Sequence, residues 1–208
     1  MKTPRPSLRE RQARQVRESV LEAALSQLEG RAADDVSMAE VAHAAGVSLR
    51  TLYRYFPDRA SLLHAAGEHV YDSLGVPFDV EGPHAISSSF LDAARRLSSR
   101  PALARALVQG AAGRATRSTV RARRVDAIET ALKPLTERLD SDLARQARAV
   151  IAHLCSAASW VAVADESGLD DAEAQAAVAW AIDALVSTLQ KPPRLRSRPR
   201  PLRRRDTQ

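Results

Sequence analysis

Two arginines, a threonine and two tyrosines lie within the six-residue stretch from Arg50 to Tyr55. Arginine can bind the O6 and N7 atoms of guanine with two hydrogen bonds, and threonine can contact the methyl group of thymine. Tyrosine hydroxyls commonly donate hydrogen bonds to phosphate oxygens. Held on one face of a helix, side chains of these types would read the edges of base pairs and bind the DNA backbone around them.

A helix that reads DNA buries one face on its own domain and presents the other face to a major groove. Leu52 and Phe56 lie four residues apart, so we expect them to form the buried face. The side chains expected to point outward are Arg50, Thr51, Arg54 and Tyr55. Tyr53 falls near the edge. Two alternatives stay open: the tyrosines fill a small core, and the arginines are simply solvated.

Turn signals predict that this stretch is the second helix of a helix-turn-helix. Ser37 and Glu40 have the spacing of a capping box, in which the serine accepts from a first-turn amide and the glutamate reaches back. Gly46 suits a turn that needs positive φ, and Ser48 is the N-cap of the helix over residues 49–56. Two short helices joined by a glycine-containing turn make this motif.

Apolar periodicity predicts helices along the rest of the chain, and the richness in alanine with few aromatics favours an all-α fold. The further predicted helices cover residues 11–28, 58–74, 85–99, 102–113, 117–139, 142–166 and 171–189. Glycines and prolines in the segment 75–83 indicate a domain boundary. We therefore expect a three-helix helix-turn-helix DNA-binding domain over residues 11–74 and a helical ligand-binding and dimerisation domain over residues 84–190.

Positive charge is concentrated in two tails, although the net charge of the chain is only +6. Residues 1–15 hold five basic residues against one acidic residue, and residues 191–208 hold eight against one, so the body between them is acidic. We expect a disordered basic arm over residues 1–10 that binds phosphates or enters a minor groove. The Arg/Pro-rich tail over residues 191–208 is also expected to be disordered, and either adds non-specific DNA affinity or is inert.

The segment 36–63, which reads VSMAEVAHAAGVSLRTLYRYFPDRASLL, resembles the DNA-binding domain of the tetracycline-repressor (TetR) family of transcriptional regulators. The matching pieces are AEVA at 39–42, AGVS at 45–48, TLY at 51–53, YF at 55–56 and LL at 62–63. The resemblance covers about residues 11–72. Asp58 departs from it, because a basic or small polar residue is frequent at that position.

The resemblance implies a cytoplasmic regulator that binds double-stranded operator DNA and a small-molecule effector. Its simplest form is a repressor released from a palindromic operator by an apolar or amphipathic molecule. The alternative is a ligand-independent architectural DNA-binding protein with a filled core. The DNA-binding residues expected on this basis are Ser37, Ser48, Leu49, Arg50, Thr51, Tyr53, Arg54, Tyr55 and Arg59.

The last two predicted helices are rich in small residues, which let helices approach closely. A two-fold pair of such hairpins makes a four-helix interface, and a short DNA-reading helix usually needs two half-sites. We therefore expect a homodimer, with an ordinary intramolecular core as the alternative. The predicted interface residues are Ile151, Leu154, Ala158, Val161, Ala177, Trp180, Ala184 and Leu185.

Two features of the C-terminal half are candidates for ligand binding. An apolar cavity could be lined by Phe90, Leu103, Leu107, Leu154 and Trp160, although these residues could equally fill a core. Five arginines between Arg114 and Arg124 have no acidic residue among them. They suit the anionic group of a ligand or, alternatively, form a solvated helix face.

Enzymatic and membrane functions find no support in the pattern. The sequence has no glycine-rich phosphate loop, no nucleophile elbow and no histidine spacing typical of a metal site. The single cysteine, Cys155, lies in an apolar run and is expected to act as a small hydrophobe. We expect no cofactor, no metal and no membrane partner, because the longest uncharged stretch is too short to span a bilayer.

Overall fold

The computed structural model describes residues 7–30, 36–77, 79–109 and 111–191, which form ten α-helices and no strand. A short 3₁₀ helix, Pro83–Ala85, precedes the fifth of them. The helices are α1 Leu8–Gly30, α2 Met38–Ala44, α3 Leu49–Tyr55, α4 Arg59–Ser73, α5 Ile86–Leu97, α6 Pro101–Gln109, α7 Ala111–Thr136, α8 Ser141–Leu154, α9 Ala157–Ser167 and α10 Asp171–Gln190. The predicted all-α fold is confirmed.

The two helices of the helix-turn-helix begin at the capping residues that the sequence predicted. The Ser37 hydroxyl accepts from the Glu40 N–H, and the Ser48 hydroxyl accepts from the Thr51 N–H. Gly46 has φ of 67°, as the turn requires. The Ser37 N–H donates to Oε1 of Gln27 on α1. In the predicted capping box this N–H would donate to the Glu40 side chain, so α1 supplies an acceptor for it.

The helix α1 begins at Leu8, three residues before the start at residue 11 that the spacing of its apolar residues predicted. Ser7 and Glu10 form a capping box, because the Ser7 N–H donates to the Glu10 carboxylate and the Ser7 hydroxyl accepts from the Glu10 N–H. These hydrogen bonds lower the pKa of Glu10. Residues 8–10 of the predicted disordered arm are therefore helical, and residues 1–6 lie outside the described residues.

The helix predicted over residues 142–166 is two helices, α8 and α9, which meet at a bend of 68°. Ser156 adopts extended backbone angles between them. The Ser159 hydroxyl donates to the carbonyls of Leu154 and Ser156, which occupies carbonyls at the break. The apolar pattern runs on through the break, which is why periodicity alone predicted one helix.

A single hydrophobic core joins the helix-turn-helix to the rest of the molecule. The helix α7 packs against α4, α6 and α8, and α10 packs against α5 and α9. Val76, in the predicted boundary segment, is itself buried. The division into domains at residues 75–83 stays a prediction. Apart from Lys191, the predicted tail over residues 191–208 lies outside the described residues.

A polar network ties α1 and α4 to the turn between α5 and α6. The Arg100 guanidinium donates to Glu29 at 2.8 Å and to Glu22 at 3.2 Å, and His69 lies 3.0 Å from the second oxygen of Glu22. The hydrogen bond to Glu29 is the main cause of a raised Arg100 pKa. The network adds polar contacts between α1 and the C-terminal half to the hydrophobic core that they share.

The core position Leu132 offers a test of this packing. Leu132 on α7 is fully buried, so we expect Leu132→Ala to lower the free energy of unfolding by about 2–5 kcal/mol, through lost transfer energy and the cavity left behind. Urea denaturation measures this change. The matched control Leu169→Ala removes a side chain that is 37% exposed and is expected to cost far less. Equal costs for the two substitutions would contradict the described core.

Candidate nucleic-acid interface and ligand cavity

The exposed face of α3 is narrow and carries both arginines. Leu52 and Phe56 are buried, as predicted, and fix the orientation of the helix. Arg50 and Arg54 are exposed on the opposite side, with Leu49 at its edge. The structure thus brings guanidinium donors together on a surface that a major groove could accept.

The two tyrosines of α3 exchange their predicted positions. Tyr53, expected near the edge, is 46% exposed and lies between the arginines on the outer face. Tyr55, expected to point outward, is half-buried and packs against the core, with the Arg54 guanidinium 5.4 Å from its ring centre. The outward orientation predicted for Tyr55 is wrong. Its side of α3 packs against the hydrophobic core, and the residues of that core are brought together only by the tertiary structure.

The remaining predicted DNA-contacting residues surround α3. The Ser48 and Thr51 hydroxyls lie 2.8 Å apart and hold each other at the start of the helix, and Thr51 is half-buried. Ser37 and Arg59 are also half-buried, at the starts of α2 and α4. Contact of these residues with DNA stays a prediction.

A row of basic residues on α1 lies beside this face, and these residues are absent from the DNA-binding set predicted from the sequence. The Arg17 guanidinium stacks over the ring of Phe56 at 4.9 Å, so the N-terminal half of α1 lies against the end of α3. Arg11 and Arg14 precede Arg17 at intervals of three residues and are exposed. That spacing places the three arginines near one side of the helix, and it is the sequence signal from which this basic row could have been predicted. They extend the basic surface beyond α3.

A cavity lies behind α4, at the junction of α4, α5, α7 and the break between α8 and α9. The centre of a water-sized sphere can reach about 50 Å³ inside it, and the cavity is partly open to solvent. Tyr71 closes it from α4, Phe90 from α5, Ile128 from α7 and Trp160 from α9. The surface around it is mainly apolar, which suits a small molecule with a hydrophobic body.

Only part of the predicted cavity lining is correct. Phe90 and Trp160 line the cavity, whereas Leu103, Leu107 and Leu154 do not. Leu103 and Leu107 are buried in the core on α6, and Leu154 is packed against the core at the end of α8. Apolar residue type identified these positions as interior, but it could not distinguish a cavity wall from filled core.

Polar groups also border the cavity. Arg124, Cys155 and Ser156 line it. Burial raises the pKa of the Cys155 thiol to about 12, although the positive charge of Arg124 opposes this shift. The thiol is therefore neutral at neutral pH, as a small hydrophobe would be.

The predicted arginine cluster is only partly described. Arg124 lines the cavity, and Arg121 and Arg123 are exposed. The structure does not describe the side chains of residues 111–119.

The predicted interface residues divide into three groups by their burial. Ile151 and Val161 are buried within the chain, so their assignment to a dimer interface is wrong: each faces the intramolecular core. Leu154, Ala158 and Ala177 are half-buried. The exposed members are Trp180, Ala184 and Leu185, and exposed apolar residues that the prediction missed are Leu143 and Val150.

The described residues contain neither a single membrane-spanning helix nor a metal-binding cluster. Among the described residues, no single helix is long and apolar enough to cross a membrane, and α8 and α9 reach such a length only together across their bend. The same residues hold no cluster of three histidine, cysteine, aspartate or glutamate side chains able to hold a metal ion.

Comparison with known proteins gives one family and many related folds. The profile described as bacterial regulatory proteins, tetR family, matches residues 20–66. A TetR transcriptional regulator from Rhodococcus sp. RHA1 is 25% identical, with a TM-score of 0.55, over 84% of this chain and 97% of its own. No curated protein matches the sequence.

Two further solved structures share the fold alone. A tetR-family regulator from Streptomyces coelicolor is 23% identical over 83% of both chains, with a TM-score of 0.54. NalD of Pseudomonas aeruginosa, described as the secondary repressor of the MexAB-OprM multidrug efflux pump, is 16% identical over 86% of this chain and 96% of its own, with a TM-score of 0.56. These likenesses confirm the predicted arrangement of an N-terminal helix-turn-helix followed by a helical C-terminal part.

The outer face of α3 generates a direct test. We expect Arg50→Ala to weaken sequence-specific DNA binding by about 1–3 kcal/mol, because one guanidinium that can grip a guanine is lost. Fluorescence anisotropy with a selected DNA site measures this change, and the melting temperature should stay the same. The control Arg95→Ala removes an exposed arginine of α5 and should leave affinity unchanged. Equal affinity of the Arg50→Ala variant and the unmodified protein would remove Arg50 from the interface.

Proposed function

We propose that this chain, a member of the tetR family of bacterial regulatory proteins, is a dimeric repressor that releases a palindromic operator when a small molecule fills the cavity behind α4. Proteins of this family are DNA-binding transcriptional regulators. The observation that carries the finer proposal is the position of α4, which begins next to the DNA-reading helix and ends at the cavity. Because its target is chromosomal DNA, we place the protein in the cytoplasm.

The helix α4 supports a mechanical connection between the two sites. Asp58 caps α4 two residues after Phe56, and its capping box with Ser61 makes the start of the helix rigid. These hydrogen bonds lower the pKa of Asp58, which keeps the capping carboxylate charged. The 15 residues of α4 span about 22 Å, and Tyr71 near the other end lines the cavity.

A ligand in the cavity would act by selecting one position of α4. Tyr71 and Ile128 face each other across the cavity from α4 and α7, and these two helices are also packed together. A molecule that fits one arrangement better than another shifts the population toward it, by no more than its difference in affinity for the two. The cavity favours this regulator over an architectural protein, which would have a filled core.

Exposed apolar residues on α8 and α10 support the dimer. Trp180 is 74% exposed, and Leu185 on the same helix and Val150 on α8 are exposed as well. A large aromatic side chain left in water is unusual for a monomer and typical of an interface anchor. A second copy of this chain pairing two such helices would hold two α3 helices in one two-fold assembly, as half-sites of a palindrome require.

The operator can be sought without knowledge of the regulated genes. The full-length protein is incubated with a pool of random duplex DNA, and the bound molecules are amplified and sequenced over several rounds. We expect enrichment of one sequence with two-fold symmetry and half-sites about one or more helical turns apart. No enriched sequence, or enrichment without symmetry, would contradict a dimeric operator-binding repressor.

Trp180 provides the test of assembly. We expect Trp180→Glu to convert the dimer to a monomer, because a charge would have to be buried at the centre of the interface. Sedimentation equilibrium measures the change, and binding to a two-fold symmetric site should weaken with it. Trp180→Phe keeps an apolar ring and should remain dimeric. Leu169→Glu, at an exposed apolar residue between α9 and α10, is the matched control for the added charge.

A further inference from the structure

We infer that the cavity binds an amphipathic anion: a molecule with an apolar body and a carboxylate or similar acidic group. This inference rests on the proposed function only in calling that molecule an effector, since it concerns the chemistry of the cavity itself. Three observations carry it: the apolar walls, a set of buried donors at one end, and the charge around that end.

The walls define where the apolar body lies. Val76 and Val80 from the segment after α4, Ala94 and Leu97 on α5, and Val120 on α7 line the cavity together with the aromatic residues already described. None of the aliphatic side chains among them can form a hydrogen bond. A hydrocarbon or aromatic body of a ligand therefore loses no polar contact when it replaces water there.

One end of the cavity presents buried hydrogen-bonding groups that have no partner among the described residues. Ser156 is 7% exposed and Trp160 is fully buried, and neither the Ser156 Oγ nor the Trp160 Nε1 has a hydrogen-bond partner in that part of the chain. The indole Nε1 can only donate, and a hydroxyl can donate as well as accept. Buried polar groups are normally paired, so both atoms indicate an acceptor that arrives with a ligand.

The start of α9 adds to this donor set. Ser156 is the N-cap of α9, but its hydroxyl does not accept from a first-turn amide, in contrast to the side chains of Ser48, Asp58 and Asp170 at other helix starts. The amide end of a helix carries partial positive charge and attracts anions. Ala157, the first residue of α9, lines the cavity next to Ser156.

The charge around this end is positive. Arg124 lines the cavity, and no aspartate or glutamate does so among the described residues. A groove between α7 and α8 shares Arg124 and Ser156 with the cavity and is also lined by Arg121, Arg145 and Arg148, with Glu129 as its one acidic side chain among those described. A ligand that approaches along the groove meets a mainly basic surface, which favours an anion over a cation.

Isothermal titration calorimetry with three octyl compounds tests the inference on the full-length protein. Octanoate, octan-1-ol and octylamine share one apolar chain and end in a carboxylate, a hydroxyl and an ammonium group. We expect octanoate to bind at least tenfold more tightly than octan-1-ol, and octylamine to bind most weakly. Equal affinity of octanoate and octan-1-ol, tightest binding by octylamine, or no binding by any of the three would overturn the inference.

Substitutions locate the carboxylate. We expect Arg124→Gln, Ser156→Ala and Trp160→Phe each to weaken octanoate binding severalfold or more, with little effect on octan-1-ol. Arg124→Lys should retain the preference for octanoate because it keeps the charge. The control Arg138→Gln removes an exposed arginine outside the cavity and should change neither affinity. Unchanged octanoate affinity in the Ser156→Ala and Arg124→Gln variants, both shown to be folded by circular dichroism, would also contradict the inference.

The failure of this inference can be separated from the failure of the proposed function. Release of DNA is measured independently, by fluorescence anisotropy with the selected site and increasing octanoate, octan-1-ol or octylamine. Selective octanoate binding without DNA release supports the cavity chemistry and contradicts the proposed regulation by cavity filling. DNA release by all three octyl compounds alike supports the regulation and contradicts the preference for an anion.

Discussion

The packing of α4 between α1 and α7 is the contact on which the rest of the molecule depends. Nearly half of α4 is buried, including the small residues Ala65, Ala66 and Gly67, which let neighbouring helices approach closely. One end of α4 begins at the Asp58 cap, three residues after α3 ends at Tyr55, and the other end borders the cavity through Tyr71. Both candidate sites therefore belong to one hydrophobic core, and a movement of α4 cannot leave either site unchanged.

The break between α8 and α9 has a functional consequence that follows from its geometry. A continuous helix would satisfy its own amide groups and would carry Trp160 in a different direction. The bend at Cys155 and Ser156 instead turns the start of α9 toward the cavity and leaves the Ser156 hydroxyl and the Trp160 indole N–H buried, with no hydrogen-bond partner in the portion of the chain that the structure describes. A local departure from helical regularity thus produces the polar end of an otherwise apolar cavity.

The positive charge near the proposed DNA surface comes from the local arrangement of basic residues and not from an excess of basic residues in the body of the chain. The Arg17 guanidinium stacks on Phe56, which brings the basic N-terminal half of α1 beside α3, whereas Glu22 and Glu29 in the C-terminal half of α1 bind Arg100. The same helix therefore offers cations at one end, toward the proposed DNA surface, and carboxylates at the other end, toward its own protein. This segregation explains how an acidic body can carry a DNA-reading helix.

The sequence by itself determined the helix-turn-helix, the all-α fold and most helix ends, because these depend on short-range interactions. Ser48 and Asp58 cap the helices that follow them, and Gly46 adopts the positive φ that its turn needs, whatever the rest of the chain does. The family resemblance rested on the same local residues. Only the tertiary structure decided which side of an alanine-rich helix is buried, because small apolar residues occur all around such helices. For that reason Ile151 and Val161 joined the intramolecular core, and Leu103 and Leu107 filled space instead of lining a cavity. The helix α3 has no alanine, but the burial of Tyr55 in place of Tyr53 also depended on the core packed against it.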